Sequence, residues 1–274
     1  MRIARFKDGT GNGRPGVPRD DGSARLLSGD IFSDLVVSEE EVAMGKRLAP
    51  LVPANIFCVG LNYRAHARET GAPIPDHPVV FMKPTTTLTN PGDPIVLPAA
   101  CEHGPEVDYE AELAVVIGKR AKDVAAERAL DYVLGYTCAN DVSARRWQKH
   151  GGGGQWVRGK SFDTFCPLGP VLVTAEEIGD PQDLEISCTL NGETMQAAST
   201  SDMIFSVAEL VAYLSRDTTL LPGTLILTGT PPGVGFARRP PVFLAPGDRL
   251  RVEISGIGIL ENRVVAKGDP VAEV

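Results

Sequence analysis

Apolar and polar positions alternate over much of this chain, which is the period of a half-buried β-strand. Leu184, Ile186, Cys188 and Leu190 alternate with Glu185, Ser187 and Thr189. Asn191-Gly192 follows, the dipeptide that most strongly favours a two-residue hairpin. Leu250, Val252 and Ile254 alternate with Arg249, Arg251 and Glu253 after the turn Pro246-Gly247-Asp248. Two runs are continuously apolar: Ile56 to Gly60 (IFCVG) and Leu113 to Ile117 (LAVVI). Such runs predict strands covered on both faces. Helical signals are fewer. Ser206 and Glu209 form a capping box that places Val207, Leu210, Val211 and Leu214 on one face. A helix is predicted over roughly Ala125 to Val133. Ser38 and Glu41 have the same capping spacing, predicting a short helix to about Leu48 that Pro50 and Pro53 end. The pattern as a whole predicts an α+β, β-rich chain. Residues 1–50 form a small N-terminal unit and residues 54–274 the main domain.

Composition narrows the class. Of the 274 residues, 29 are Gly and 22 Pro, which favours short strands and many turns over a helical bundle. Lys and Arg number 27 against 35 Asp and Glu, a net charge of −8. That balance is wrong for phosphate-backbone binding, so no nucleic-acid partner is expected. The five cysteines are widely spaced and contain no C-x-x-C pair, which fits a reducing compartment better than a disulfide framework. No apolar leader opens the sequence, and no uninterrupted apolar run is long enough for a bilayer. A cytoplasmic protein without a membrane partner is the expectation.

The candidate chemistry starts in EVDYEAELAVVIGK, Glu106 to Lys119. Side chains alternate along a strand, so Glu110 and Glu112 share a face that continues into Ala114 and Val116. Two carboxylates leading into an apolar face repel unless a cation sits between them, and oxygen clusters suit magnesium, manganese or calcium. A solvated strand end is the competing reading, and Asp108 has the same parity. In GYTCANDVSARRWQ, Asp141, Arg145 and Gln148 fall on one face if the segment is helical. Asp141 is then either a helix cap or a third metal ligand, and in the latter case Arg145 faces an anionic substrate. Lys160 lies in a Gly- and aromatic-rich stretch where a buried ammonium needs an anion. In GLNYRAHARETG, Asn62 is placed to cap a short helix that Gly71 ends. His66 and Glu69 are i,i+3 neighbours there, the pairing of a general base, or else an ordinary surface pair. The prolines that follow make this segment a candidate lid. LILTGTPPGVG, Leu225 to Gly235, runs from a strand into a loop whose amides and Thr230 suit an anion, or form a plain turn.

Taken together and in this order, VGLNYRAHARE, VVFMKPTTTLTNPGDPIVLP, DYEAELAVVIGK, GYTCANDVSARRWQ, GKSFDTFCPLGP and LILTGTPPGVG resemble the fumarylacetoacetate hydrolase family over residues 54–265. The resemblance implies a mixed β-sheet roll with peripheral helices and a homodimer. It implies magnesium or manganese on Glu110, Glu112 and Asp141, and a catalytic dyad of His66 and Glu69, with Lys160 beside it. Substrate binding falls to Arg145, Gln148, Lys160 and Thr230. The position of a further acid in longer members is here within IFCVG, so the chain resembles the short, three-carboxylate members. The implied substrate is a small anionic 2-oxo acid handled through a metal-stabilised enolate. C–C hydrolysis of a 3-acylpyruvate in aromatic catabolism comes first. Oxaloacetate decarboxylation and 2-hydroxyhepta-2,4-diene-1,7-dioate isomerisation are alternatives, and a non-catalytic metal-binding member is the contrasting class. The run Gly151 to Gly154 is a departure that leaves the distal end of the substrate undefined.

Overall fold

A computed structural model describes residues 1–269; residues 270–274 of the expected main domain lie outside the described residues. The chain is β-rich. A twelve-stranded mixed sheet has at its centre Cys166–Thr174, Val133–Asn140, Ala111–Ile117, Leu225–Leu227 and Ile56–Gly60, in that spatial order. Most neighbours are antiparallel, but Leu225–Leu227 and Ile56–Gly60 run parallel. The edge on that side is Val79–Lys83. A second sheet of five strands is ordered Glu193–Ser199, Glu185–Leu190, Arg249–Ile254, Gly258–Ala266 and Ile95–Leu97.

The two apolar runs behave as strands with two buried faces. Leu113, Val115 and Ile117 join a core shared with the five-stranded sheet, through Ile186, Cys188, Val252 and Ile254. Ala114 and Val116 point the other way, into a second core with Ile56, Cys58, Phe81, Leu168 and Leu227. The predicted hairpin forms between Glu185–Leu190 and Glu193–Ser199. Its turn needs positive φ at both central residues, which Asn191 (53°) and Gly192 (86°) provide. The capping box is complete: Ser206 Oγ accepts from Glu209 N–H, and Glu209 Oε2 accepts from Ser206 N–H. The helix Val207–Ser215 follows it.

Two local expectations are corrected. Ser38 and Glu41 lie within the strand Val36–Ala43, and Arg47–Leu48 is extended, so no helix forms there. The window holds no run of apolar residues at helical spacing, and pairing with Ser23–Ser28 satisfies its backbone instead. The predicted helix near Ala125 is a 3₁₀ helix, Ala126–Tyr132. The N-terminal strands are joined to the main sheet through Arg2–Lys7, which pairs with Cys166–Thr174. Ala4 and Phe6 lie in the larger core. Among the described residues, no helix is long and apolar enough to cross a membrane.

Phe6 is fully buried where the N-terminal strands meet the main core. Phe6→Ala is expected to destabilise the protein by about 3–5 kcal/mol through lost burial and a cavity. Guanidinium unfolding should show one transition at a lower midpoint. A loss below about 1 kcal/mol would mean that this strand adds little to the core.

Candidate active site

The acidic residues emerge where the second core reaches the end of the central strands. Glu112 keeps the side of Ala114 and Val116, as period-two alternation requires. Its strand is paired in register with Val133–Asn140, with Glu112 opposite Ala139. Asp141 follows directly, and its N–H donates to Glu110 O at 2.9 Å. The pairing therefore brings in an acid 29 residues away in sequence. One carboxylate oxygen each from Glu110, Glu112 and Asp141 lie within 4.8 Å of one another, and all three residues are buried. Asp141 neither caps a helix nor lies on one: the helix covers only Arg145–Lys149, and its cap is Ala144.

Cations pack against these acids. Lys160 Nζ donates to Glu110 Oε2 at 2.6 Å and to Asp141 Oδ2 at 2.7 Å. The anion that a buried Lys160 requires is thus the acidic cluster itself. Arg145 also departs from the expectation that it faces only substrate. Its Nε donates to Asp108 Oδ2 at 2.8 Å and its Nη1 to Glu110 Oε1 at 2.6 Å. Arg145 Nη2 approaches Asp108 Oδ2 at 2.7 Å but makes no hydrogen bond. Gln148 accepts from Arg145 Nη1 at 3.1 Å.

The environment splits the acids. Burial opposes ionisation of Glu110, but Lys160 and Arg145 outweigh it and draw its carboxyl down to about 2. Glu112 moves the other way. Burial, then the charges of Asp141 and Glu110, push it well above the usual carboxylate range. It has no ion-pair partner among the described residues and accepts only from Gly229 N–H, at 2.7 Å. Three clustered carboxylates, one of them without a countercharge, are a donor set that fits a hard divalent cation.

His66 lines the same cavity as Glu110 and Glu112, with Glu69 paired to it. The helix Arg64–Thr70 ends at Gly71 in the left-handed region, as expected. Asn62 does not cap it; Tyr63 occupies that position. Asn62 is instead a buried clamp, donating to Phe205 O and Thr228 O and accepting from Phe205 N–H. Asp202 accepts from Ala65 N–H. His66 Nδ1 is 2.9 Å from Glu69 Oε2, and Glu69 Oε1 accepts from Gly233 N–H at 2.8 Å. The segment expected as a lid is therefore docked through Asn62, Ala65 and Glu69. With Nδ1 held by a carboxylate, the other ring nitrogen is left for chemistry.

His66, Glu110, Glu112, Arg145, Lys149 and Lys160 line one cavity of about 300 Å³. Phe81, Leu61 and Trp156 form an apolar wall. Gly60 makes the wall feasible, because a Cβ there would come within 2.2 Å of the Trp156 ring. Thr230 lines the cavity, but its hydroxyl donates to Ala111 O and accepts from Gln196 Nε2.

Sequence reasoning missed Lys83 and Gln196 and left Asp108 open. Lys83 Nζ donates to Asp141 Oδ1 at 2.5 Å and to Val142 O. A signal existed: Lys83 has the parity of buried Phe81 in Val79–Lys83, and a lysine on an apolar parity needs an anion. Asp108 accepts from Arg145 and from the N–H groups of Tyr109, Gly235 and Phe236, so it fixes both the guanidinium and the glycine–proline loop. Gln196 has no comparable signal; only the folded sheet brings it to Ala111 and Thr230.

Residues 55–265 match the family described as Fumarylacetoacetate (FAA) hydrolase C-terminal, and the chain belongs to the fumarylacetoacetate hydrolase family. It is 50% identical over 219 residues to "Oxaloacetate tautomerase FAHD2A, mitochondrial" of Bos taurus, covering 80% of this chain and 69% of the bovine protein. A solved 2-hydroxyhepta-2,4-diene-1,7-dioate isomerase from Mycobacterium marinum is 41% identical with a TM-score of 0.83. That match covers 98% of this chain and 99% of the isomerase. A fumarylacetoacetate hydrolase from psychrophilic Exiguobacterium antarcticum is 36% identical with a TM-score of 0.85, covering 97% and 100%.

Two outcomes test this geometry. A cation seated on the acids must displace the proton that the raised carboxyl of Glu112 retains. Magnesium affinity should therefore rise with pH, with proton release visible in calorimetry as a buffer-dependent enthalpy. Glu112→Gln should weaken binding and abolish the release; unchanged magnesium affinity in that variant would remove Glu112 from the ligand set. Separately, Lys83→Met is expected to cost about 3–5 kcal/mol in chemical denaturation, because it takes a cation away from the buried Asp141.

Proposed function

We propose that this protein is a divalent-cation-dependent enzyme that moves a proton at the carbon beside the oxo group of a 2-oxo acid, interconverting keto and enol forms. Oxaloacetate is the first substrate to test. The observation that carries the proposal is His66, held by Glu69 through Nδ1, lining the same 300 Å³ cavity as Glu110, Glu112, Arg145 and Lys160. Magnesium or manganese on Glu110, Glu112 and Asp141 would supply a Lewis acid that polarises the oxo group.

The chain's own residues do the rest. Lys160 spends two of its three N–H donors on Glu110 and Asp141, leaving one for a substrate oxygen. Arg145 lines the same cavity, and its ion pair with Asp108 takes at most one of the two N–H groups on Nη2. Glu69 holds the proton on His66 Nδ1, so Nε2 takes the proton from the substrate carbon and returns one to carbon or oxygen. Phe81, Leu61 and Trp156 exclude water from this exchange. Proton transfer needs no attacking water, which separates it from the hydrolysis of an acylpyruvate. The names of the relatives favour it too: the 50% identical protein is a tautomerase and the 41% identical one an isomerase, whereas the hydrolase is 36% identical.

Ketonisation of enol-oxaloacetate, followed by loss of enol absorbance with magnesium present, is the direct test. The wild-type protein should accelerate it, and His66→Ala should lose about 100-fold or more. Faster release of pyruvate from an acylpyruvate would favour C–C hydrolysis instead. Loss of carbon dioxide from oxaloacetate at the ketonisation rate would favour decarboxylation. No acceleration of any of these reactions would leave a binding protein.

A further inference from the structure

The cavity holds three lysine or arginine side chains, and they are not equivalent. Arg145 and Lys160 are buried and paired with Asp108, Glu110 and Asp141. Lys149, one helical turn beyond Arg145, lines the cavity and makes no ion pair or side-chain hydrogen bond among the described residues. Lys149 is exposed, yet its side chain lies along the protein, with Nζ 4.3 Å from the centre of the Phe236 ring, while Arg145 Cζ lies 4.4 Å from the same ring. Phe236 is fixed in turn, because its N–H donates to Asp108 Oδ2 at 3.0 Å. One ring thus gathers two like charges beside a cavity. Partial burial and then the Arg145 charge pull the Lys149 ammonium below its ordinary range. Arg145 Nη2 is ion-paired with Asp108 Oδ2 at 2.7 Å, a contact that takes at most one of its two N–H groups. Two neighbouring cations, one unpaired and the other with an unused N–H, are a receptor for an anion.

Resting on the 2-oxo acid reading above, we infer that Lys149 recognises the second carboxylate of a dianionic 2-oxo acid and sets the preference of this site for dicarboxylates. The acids, Lys160 and His66 take the reacting end. Lys149 stands at the exposed side of the cavity, where the far end of a short dicarboxylate is still partly solvated. The apolar wall of Phe81, Leu61 and Trp156 carries no charge and cannot serve that end.

The test uses a matched pair of stable 2-oxo acids in calorimetry with magnesium present: 2-oxoglutarate, a dianion, and 2-oxopentanoate, the same carbon chain without the distal carboxylate. The wild type should prefer the dianion. Lys149→Met should weaken 2-oxoglutarate binding by about ten-fold, the size of one lost charge-assisted contact, and bring the two affinities together. Lys149→Arg should restore the preference. Equal affinities in the wild type, or an undiminished preference in Lys149→Met, would overturn the assignment. The readout is independent of turnover. If the wild type discriminates here but accelerates no enol ketonisation, the proposed reaction fails and the Lys149 assignment stands.

Discussion

The buried ionic cluster at the end of the central strands is the constraint on which the rest of the site depends. Asp108, Glu110, Glu112 and Asp141 are all buried, and so are Lys83, Arg145 and Lys160. Removing a single charge from water costs several kcal/mol, so none of these side chains is tolerable alone in such a place. Together they hold one another through ion pairs of 2.5 to 2.7 Å. Each cation fixes a carboxylate oxygen, and the scaffold fixes each backbone through the strand ladder. The set is one acid in excess, and the excess falls on Glu112, the member without an ion-pair partner among the described residues.

That arrangement makes a stiff floor. A reacting group has to be held to a fraction of an ångström, and a sheet buried on both faces does this better than a loop. The more loop-like parts are tied to the same frame. Asp108 grips Gly235 and Phe236, and Glu69 grips Gly233, so the glycine–proline loop is held by two separate acids. Leu61, a bulky residue with φ of 51°, lies at the cavity rim between Gly60 and the Asn62 clamp. Backbone strain of this kind persists where surrounding contacts enforce it.

The floor and the upper wall play different parts in the proposed chemistry. Close relatives of one fold carry the names tautomerase, isomerase and hydrolase. A floor that draws charge toward the oxo end of a substrate serves all three reactions. Of these, only hydrolysis consumes a water molecule, so on the proposed reading access of water to the far part of the cavity separates it from proton transfer. In the proposed binding mode the far end of the substrate lies toward Trp156, Phe81, Leu61, Phe236 and Lys149, which line the cavity from separate stretches of chain.

The sequence by itself determined the strands with strong periodicity, the Asn191-Gly192 turn, the capped helix at Ser206 and the shared face of Glu110 and Glu112. Each of these is set by residues within a few positions of one another, where period and turn chemistry act directly. The same local rules misread Ser38 to Leu48, because a capping spacing without an apolar helical face does not outweigh strand pairing. The resemblance of six short stretches to a known family carried Asp141, His66, Glu69, Arg145, Gln148, Lys160 and Thr230 onto the list before any geometry was available. Only the tertiary structure decided their partners: that Lys160 bridges Glu110 and Asp141, that Lys83 stands behind Asp141, and that Gln196 holds Thr230. The physical reason is that a buried charge takes its partner from whichever strand the sheet places beside it, and sheet order depends on pairing across the whole chain rather than on spacing within a segment.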